Sequence, residues 1–197
     1  MDSWLRVVLD SNCDILIVMR YSSVFHLISF AASEKSADLV LIGGFAVNYY
    51  GVSRQTIDLD FLTTNEDFKK IVDLIKKEGY KKDCSQDIFV RLRTDTDYLL
   101  DLDFMFVDKE TLSKIIKEGK EIDVAGQKFA IPSLMHLIAL KLHSIKNNPE
   151  RIAKDLIDII EMIKINKIDV MSKDFKGLCL EYGTESLYND ILDKSKT

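Results

Sequence analysis

Only 2 prolines and 8 glycines interrupt the 197 residues, so those few positions carry most of the information about breaks in the chain. No stretch rich in Pro, Gly or Ser and no internal repeat is present, which excludes a string of loosely tethered modules and favours one compact body. Cysteine is equally scarce. Cys13, Cys84 and Cys179 are odd in number, far apart and in no CxxC spacing, which speaks against a disulfide framework and a zinc site and makes a reduced, cytoplasmic setting the expectation. Long apolar runs are missing too: the two most apolar stretches, residues 15–19 and 24–32, are far too short to span a bilayer, and the start Met1-Asp2-Ser3 has no basic region of the kind that opens an export signal. Neither a leader nor a membrane anchor is expected. Basic charge is in deficit, with 27 Lys and Arg against 32 Asp and Glu. A net charge of −5 disfavours a protein that coats nucleic acid by charge alone, while leaving local contact with a polyanion open.

What is present suffices for a core: 47% of the residues are hydrophobic and 30% charged. Residues 1–22 fit no periodic pattern and read as an irregular arm. From Ser23 the apolar spacing predicts a helix ending near Ser36, a buried strand over residues 38–42, a break at Gly43-Gly44 and a short helix over residues 45–50. Gly51 is placed to stop that helix in a left-handed conformation. Residues 56–62 alternate as a strand with Ile57, Leu59 and Phe61 on one face. Asn65 can cap the next helix, whose stripe is Phe68, Ile71, Val72 and Ile75 and which Gly79 ends. Strands over residues 88–93 and 99–107, a helix over residues 109–118 and a hairpin turning at Ala125-Gly126 follow, and the last third is helical. The expected fold is α+β: a small mixed sheet packed on helices over residues 23–130, with a helical subdomain over residues 131–197.

The chemically unusual residues are carboxylates inside apolar strands. Asp95-Thr96-Asp97 is a solvated turn, whereas Asp58-Leu59-Asp60-Phe61 and Asp101-Leu102-Asp103-Phe104 are flanked by residues that demand a sheet. A period of two puts Asp58 with Asp60, and Asp101 with Asp103, on one face about 6 to 7 Å apart. Two such charges repel by roughly 2 to 3 kcal/mol at an effective dielectric of about 20, so a cation between them is expected. Mg²⁺ takes oxygen ligands and prefers one or two carboxylates plus substrate phosphates. If the two strands are neighbours, three or four carboxylates converge into a site able to hold two metals; the competing reading is the wet face of an antiparallel sheet. Gly43-Gly44, between a buried strand and a helix start, permits close approach of a phosphate to the backbone. With Asp58 and Asp60 on the following strand it becomes half of a nucleotide site.

Residues Leu41-Ile42-Gly43-Gly44-Phe45-Ala46, then Gly51, Arg54, Thr56 and Asp58-Leu59-Asp60-Phe61, resemble the signature of the polymerase-β-type nucleotidyltransferase superfamily, an hG[GS] turn followed by DxD on the next strand. Ile131-Pro132-Ser133, Leu140-Lys141-Leu142 and residues 151–158 extend the resemblance to the branch of AbiEii-type toxins, over roughly residues 23–165. Gly44 departs from the many superfamily members that carry Ser there, and a hydroxyl contact to phosphate is missing with it. The resemblance implies Asp58 and Asp60 as metal ligands and catalytic residues, with Asp103 or Asp101 as the third carboxylate; the Asp-Phe-Met-Phe stretch favours Asp103. It also implies that Gly43, Gly44, Arg54 and Thr56 bind the nucleotide and that Lys141 and Asp155 lie by the active site. Read from the residues alone, Lys141 in an apolar helix snorkels to its edge or reaches phosphates or an acidic partner. Arg151, Asp155 and Asp158 share a face that reads as a solvated ion-pair stripe. Arg91 and Arg93 either help hold a triphosphate or acceptor or lie on an exposed strand face, and His136 and His143 have no HExxH partner and read as structural.

The implied activity is Mg²⁺-dependent transfer of a nucleoside monophosphate from an NTP to an acceptor hydroxyl, RNA or protein included, with two ions and a possible antitoxin partner. A catalytically silent nucleotide- or partner-binding module of the same fold is the alternative, and a metal-dependent nuclease or phosphohydrolase is a third reading.

Overall fold

The computed structural model describes residues 5–9, 15–19, 21–96 and 99–195, the first two stretches by their backbone; Cys13 and Asp97 lie outside the described residues. The strands are β1 (Leu5–Leu9), β2 (Ile15–Met19), β3 (Leu39–Leu41), β4 (Asp58–Thr63), β5 (Lys81–Gln86), β6 (Phe89–Arg93), β7 (Asp101–Phe106), β8 (Lys120–Val124) and β9 (Gln127–Ile131). The helices are α1 (Val24–Lys35), α2 (Gly43–Tyr49), α3 (Asn65–Lys77), α4 (Lys109–Glu118), α5 (Leu134–Asn147), α6 (Ile152–Asn166), α7 (Lys173–Tyr182) and α8 (Glu185–Ser195). The chain divides into two compact units. One comprises residues 1–41 and 57–131, the other residues 42–56 and 132–197. By contact, residues 42–56 cluster with the C-terminal helices.

The first unit is built on a seven-stranded sheet of order β5-β6-β7-β4-β3-β9-β8. β4 runs parallel to β7, and β3 runs antiparallel to β4 and parallel to β9. Leu59 and Phe61 of β4 are fully buried, as are Leu102 and Phe104 of β7. The rings of Phe61 and Phe104 stack with centroids 5.6 Å apart, and Phe68 of α3 closes on Phe104 at 5.0 Å. These aromatic contacts add to area burial, and they fix which face of β4 and β7 turns toward the core. The alternate residues, acids at positions 58, 60, 101 and 103, are thereby turned to the other face.

Several local expectations are corrected. Ile57 does not join Leu59 and Phe61: pairing of β4 begins only at Asp58, and Ile57 is 81% exposed. The cap of α3 is Thr64 rather than Asn65. Its Oγ1 accepts from the Asp67 amide at 3.0 Å, and it donates to the Asp67 carboxylate at 3.0 Å, a reciprocal arrangement that a hydroxyl one residue earlier makes possible. β5 went unpredicted because Lys-Lys-Asp-Cys-Ser-Gln has no apolar alternation; all six residues are exposed on the sheet edge, and the strand exists by pairing with β6. In place of the irregular arm, β1 and β2 pair antiparallel from Leu5 opposite Met19 to Leu9 opposite Ile15, as two runs rich in Val, Ile and Leu tend to do.

In the second unit α5 packs on α6 and α7, and α8 on α6 and α7. Residues 42–56 are pinned within it at three points. The Tyr50 hydroxyl donates to the Pro132 carbonyl at 2.7 Å, Asn166 donates to the Tyr50 carbonyl at 2.9 Å, and Gly51, at φ 96°, packs beside Ile165. Burial, and secondarily the neighbouring Tyr49, pushes the Tyr50 hydroxyl up to about 12, so it stays a donor at any physiological pH.

Candidate active site

The parallel register sets Asp58 beside Asp101 and Asp60 beside Asp103, so the two DLDF strands are neighbours in the sheet. One carboxylate oxygen from each of Asp58, Asp60 and Asp103 lies within 4.8 Å of the others. Three hard oxygen donors at that spacing fit a divalent ion such as Mg²⁺. Asp103 is the buried member, and Asp58 and Asp60 are half-buried. Asp101 is outside this cluster and pairs with Arg93, whose Nε stands 3.5 Å from Asp101 Oδ2 and 3.1 Å from Asp83 Oδ2.

The partner of Asp103 was not foreseen. Arg91 sits directly opposite it on β6, and the guanidinium grips the carboxylate as a fork: Nε donates to Oδ1 at 2.6 Å and Nη2 donates to Oδ2. The hydrogen bond to Asp103 raises the Arg91 pKa above its ordinary value. Burial opposes the shift, while the charges of Asp103, Asp58 and Asp101 add to it. Arg91 is therefore a permanent cation at the edge of the acid cluster. The signal was in the sequence: the antiparallel pairing that sets Arg91 opposite Asp103 and Leu92 opposite Leu102 matches a basic-apolar-basic run, Arg91-Leu92-Arg93, to an acidic-apolar-acidic one, Asp101-Leu102-Asp103. Asp95 is exposed and paired with Lys81, in keeping with a solvated turn.

The other expected residues lie in the second unit, where Gly43, Gly44, Arg54, Thr56, Lys141 and Asp155 all fall. Gly43 takes φ 60° as α2 begins, a left-handed conformation that favours glycine. Gly44 is required for a different reason. A Cβ there would sit 2.6 Å from both Cβ and Oγ1 of Thr56 and 3.0 Å from an Arg54 Nη2, so the space a serine would need is already filled by the threonine. Asn48 holds this loop, donating to the Arg54 carbonyl at 3.0 Å and accepting from the Arg54 amide at 3.2 Å.

Lys141 does not snorkel. Its side chain is 8% exposed, and Nζ donates to Asp155 Oδ1 at 2.8 Å and Asp158 Oδ2 at 2.7 Å. Asp155 and Asp158 are accordingly no solvated stripe but buried acceptors. Arg151 Nε donates to the second oxygen of Asp155 at 2.8 Å, and Arg54 Nε stands 3.6 Å from Asp158 Oδ2. Burial alone would raise the Asp155 pKa; the charge of Lys141, with hydrogen bonds from Arg151 and Lys141, holds it below the usual carboxylate range. Two carboxylates thus face three cations.

The sequence profile of the family described as nucleotidyl transferase AbiEii toxin, type IV TA system, matches residues 27–196. The chain belongs to this family. It is thereby a nucleotidyltransferase of the AbiEii family, in agreement with the resemblance carried by Gly43-Gly44 and Asp58-Leu59-Asp60. Similar folds are found in the solution structure of the antibiotic-resistance factor ANT(2″)-Ia, at TM-score 0.59 and 17% identity, covering 85% of this chain and 92% of that one. The lincomycin-bound lincosamide antibiotic adenylyltransferase LnuA matches at TM-score 0.51 and 15% identity, over 70% of this chain and 93% of that one. An antigenic nucleotidyltransferase-like protein from Paracoccidioides brasiliensis matches at TM-score 0.51 and 16% identity, over 86% and 89% respectively. No curated protein sequence matches the chain. No helix among the described residues of this AbiEii-family protein is long and apolar enough to cross a membrane.

Proposed function

We propose that this AbiEii-family nucleotidyltransferase moves a nucleoside monophosphate from an NTP to an acceptor hydroxyl in a Mg²⁺-dependent reaction. The observation that carries the reading is the convergence of Asp58, Asp60 and Asp103 within 4.8 Å, on two strands whose buried Leu and Phe residues hold the acids in register. Asp58, Asp60 and Asp103 would hold up to two ions; Asp101, paired with Arg93, supports the cluster from its edge. When bound, the ions polarise the α-phosphate and stabilise the departing pyrophosphate. The acceptor oxygen forms its bond to the α-phosphorus as the bond from that phosphorus to pyrophosphate breaks, and Asp103 takes the acceptor's proton. Gly43 and Gly44 give backbone access to phosphate, with Arg54 and Thr56 as its side-chain contacts, and Lys141 and Asp155 support the nucleotide site through Asp158 and Arg54. The domain division we propose assigns the nucleotidyltransferase core to residues 23–130 and the supporting helical subdomain to residues 131–197.

The family description, a toxin of a type IV TA system, supports our reading of a toxin role with an antitoxin partner, and we place that role in the cytoplasm. The adenylyltransferase character of a structural neighbour makes ATP the first NTP to try, with RNA and protein as acceptors. Incubation with each labelled NTP, Mg²⁺ and total RNA or cell protein should give label transfer and pyrophosphate release. Asp58→Ala should lower both by about 10³-fold or more. Transfer that survives Asp58→Ala, or release of phosphate without transfer, overturns the proposal.

A further inference from the structure

Three carboxylates gathered for a divalent ion must be held together when the ion is absent, and the structure contains a cation at that place. Arg91 lies across the strand pair from Asp103, and both of the carboxylate's oxygens accept from its guanidinium. Asp103 is 6% exposed and has little water to replace a lost partner, whereas the Arg91 side chain is 33% exposed and can swing outward. One of the Asp103 oxygens thus gripped is within 4.8 Å of oxygens of Asp58 and Asp60. A permanent positive charge at this distance opposes the entry of a second cation, and the fork restrains the carboxylate from turning toward a new ligand. Arg93 shows the contrast on the same strand: it is 55% exposed, shares itself between Asp83 and Asp101, and its acidic partner Asp101 is outside the cluster.

We propose that Arg91 is a positioning residue that competes with the divalent ion for Asp103: it holds the third carboxylate while the site is empty and gives up at least one of its oxygens when the ion binds. The metal affinity of the resting protein is then set below what three carboxylates alone would give. The inference rests on the metal reading of Asp58, Asp60 and Asp103 given above.

Mn²⁺ binding to the purified protein without nucleotide, followed by the spin-resonance signal of the free ion, separates the two ideas. Arg91→Gln keeps hydrogen-bonding capacity and removes the charge; it should bind Mn²⁺ about tenfold more tightly than the wild type. Arg91→Lys, which keeps the charge, should stay near the wild-type value. Arg91→Gln that binds as the wild type does, or more weakly, overturns the competition while leaving the metal site standing. Binding that is absent from all three proteins, or that Asp58→Asn leaves unchanged, overturns the metal reading itself and the inference with it. A measurement on the unmutated protein stands even if Arg91→Gln does not fold. The Nε–H resonance of Arg91, assigned by its loss in Arg91→Lys, should shift and exchange faster with water as Mg²⁺ is added. A resonance unmoved at saturating Mg²⁺ overturns the competition.

Discussion

Lys141 is the residue whose environment differs most from what its neighbours in sequence suggest. Leu140 and Leu142 flank it in an apolar helix, and a lone lysine there is expected to reach the edge; instead its ammonium is buried between Asp155 and Asp158. The energetic consequence follows from asymmetry. A buried ion pair adds little to stability relative to an apolar replacement of the whole group, but removing one member strands the others. Lys141→Met should therefore destabilise the protein by about 3–5 kcal/mol, because among the described residues Asp155 then keeps Arg151 as its cation and Asp158 the more distant Arg54. Guanidinium unfolding at neutral pH measures this; a loss below about 1 kcal/mol means that water reaches the carboxylates and the network is not closed. Periodicity alone does not separate Asp101 from Asp103, since they share one face of one strand; only the resemblance favoured Asp103. Their arginine partners and burial differ in the structure: Arg93 takes the half-buried Asp101 and Arg91 the buried Asp103.

Elements were legible where side-chain pattern and backbone agreed. β4 and β7 repeat the same Asp-Leu-Asp-Phe run, and the leucine and phenylalanine positions alone settle which face the acids take. β5 was illegible because an edge strand of charged and polar residues carries no period-two signal. The allegiance of residues 42–56 was illegible for another reason: contacts such as Tyr50 with Pro132 and Asn166 span more than 80 positions of sequence and leave no local trace. The loop that leads from α2 toward β4 gives the next prediction. Gly44→Ala puts a Cβ 2.6 Å from two atoms of Thr56 and should cost about 1–3 kcal/mol, since a packed β-branched residue cannot step aside cheaply. Thr56→Gly removes both clashing atoms. In a double-mutant cycle, Gly44→Ala should therefore cost much less in the Thr56→Gly background, with a coupling above about 1 kcal/mol. Additive losses would mean that the two positions do not press on each other.

At the scale of the whole molecule, the excess of 32 acids over 27 bases is unevenly distributed in its effects. Asp58, Asp60 and Asp103 gather on one sheet face, so the charge of the working protein depends on what occupies that face. Other acids stabilise the fold by being ionised. The Asp155 pKa is lowered despite burial by Lys141 and Arg151. Burial likewise works against Asp67, whose pKa is nonetheless lowered by hydrogen bonds from Lys70 and Thr64 and by the Lys70 charge. Asp108, the cap of α4, is lowered by hydrogen bonds from the amide and hydroxyl of Thr111. A carboxylate whose folded pKa lies below its unfolded value near 3.9 contributes its full stability above that pH. As pH falls below about 4 the unfolded chain binds protons first, and the contribution disappears as the pH drops through the lower, folded value. The thermal midpoint should then be nearly flat from pH 7 to about 5 as far as these three groups are concerned, and should fall steeply below about 4. Asp155→Asn should start from a lower midpoint at pH 7, because the amide cannot answer both Lys141 and Arg151, and should lose less on acidification. Parallel slopes for the two proteins between pH 5 and 2 would mean that Asp155 titrates alike in the folded and unfolded chain, and that its pairing with Lys141 contributes nothing to the acid limit of stability.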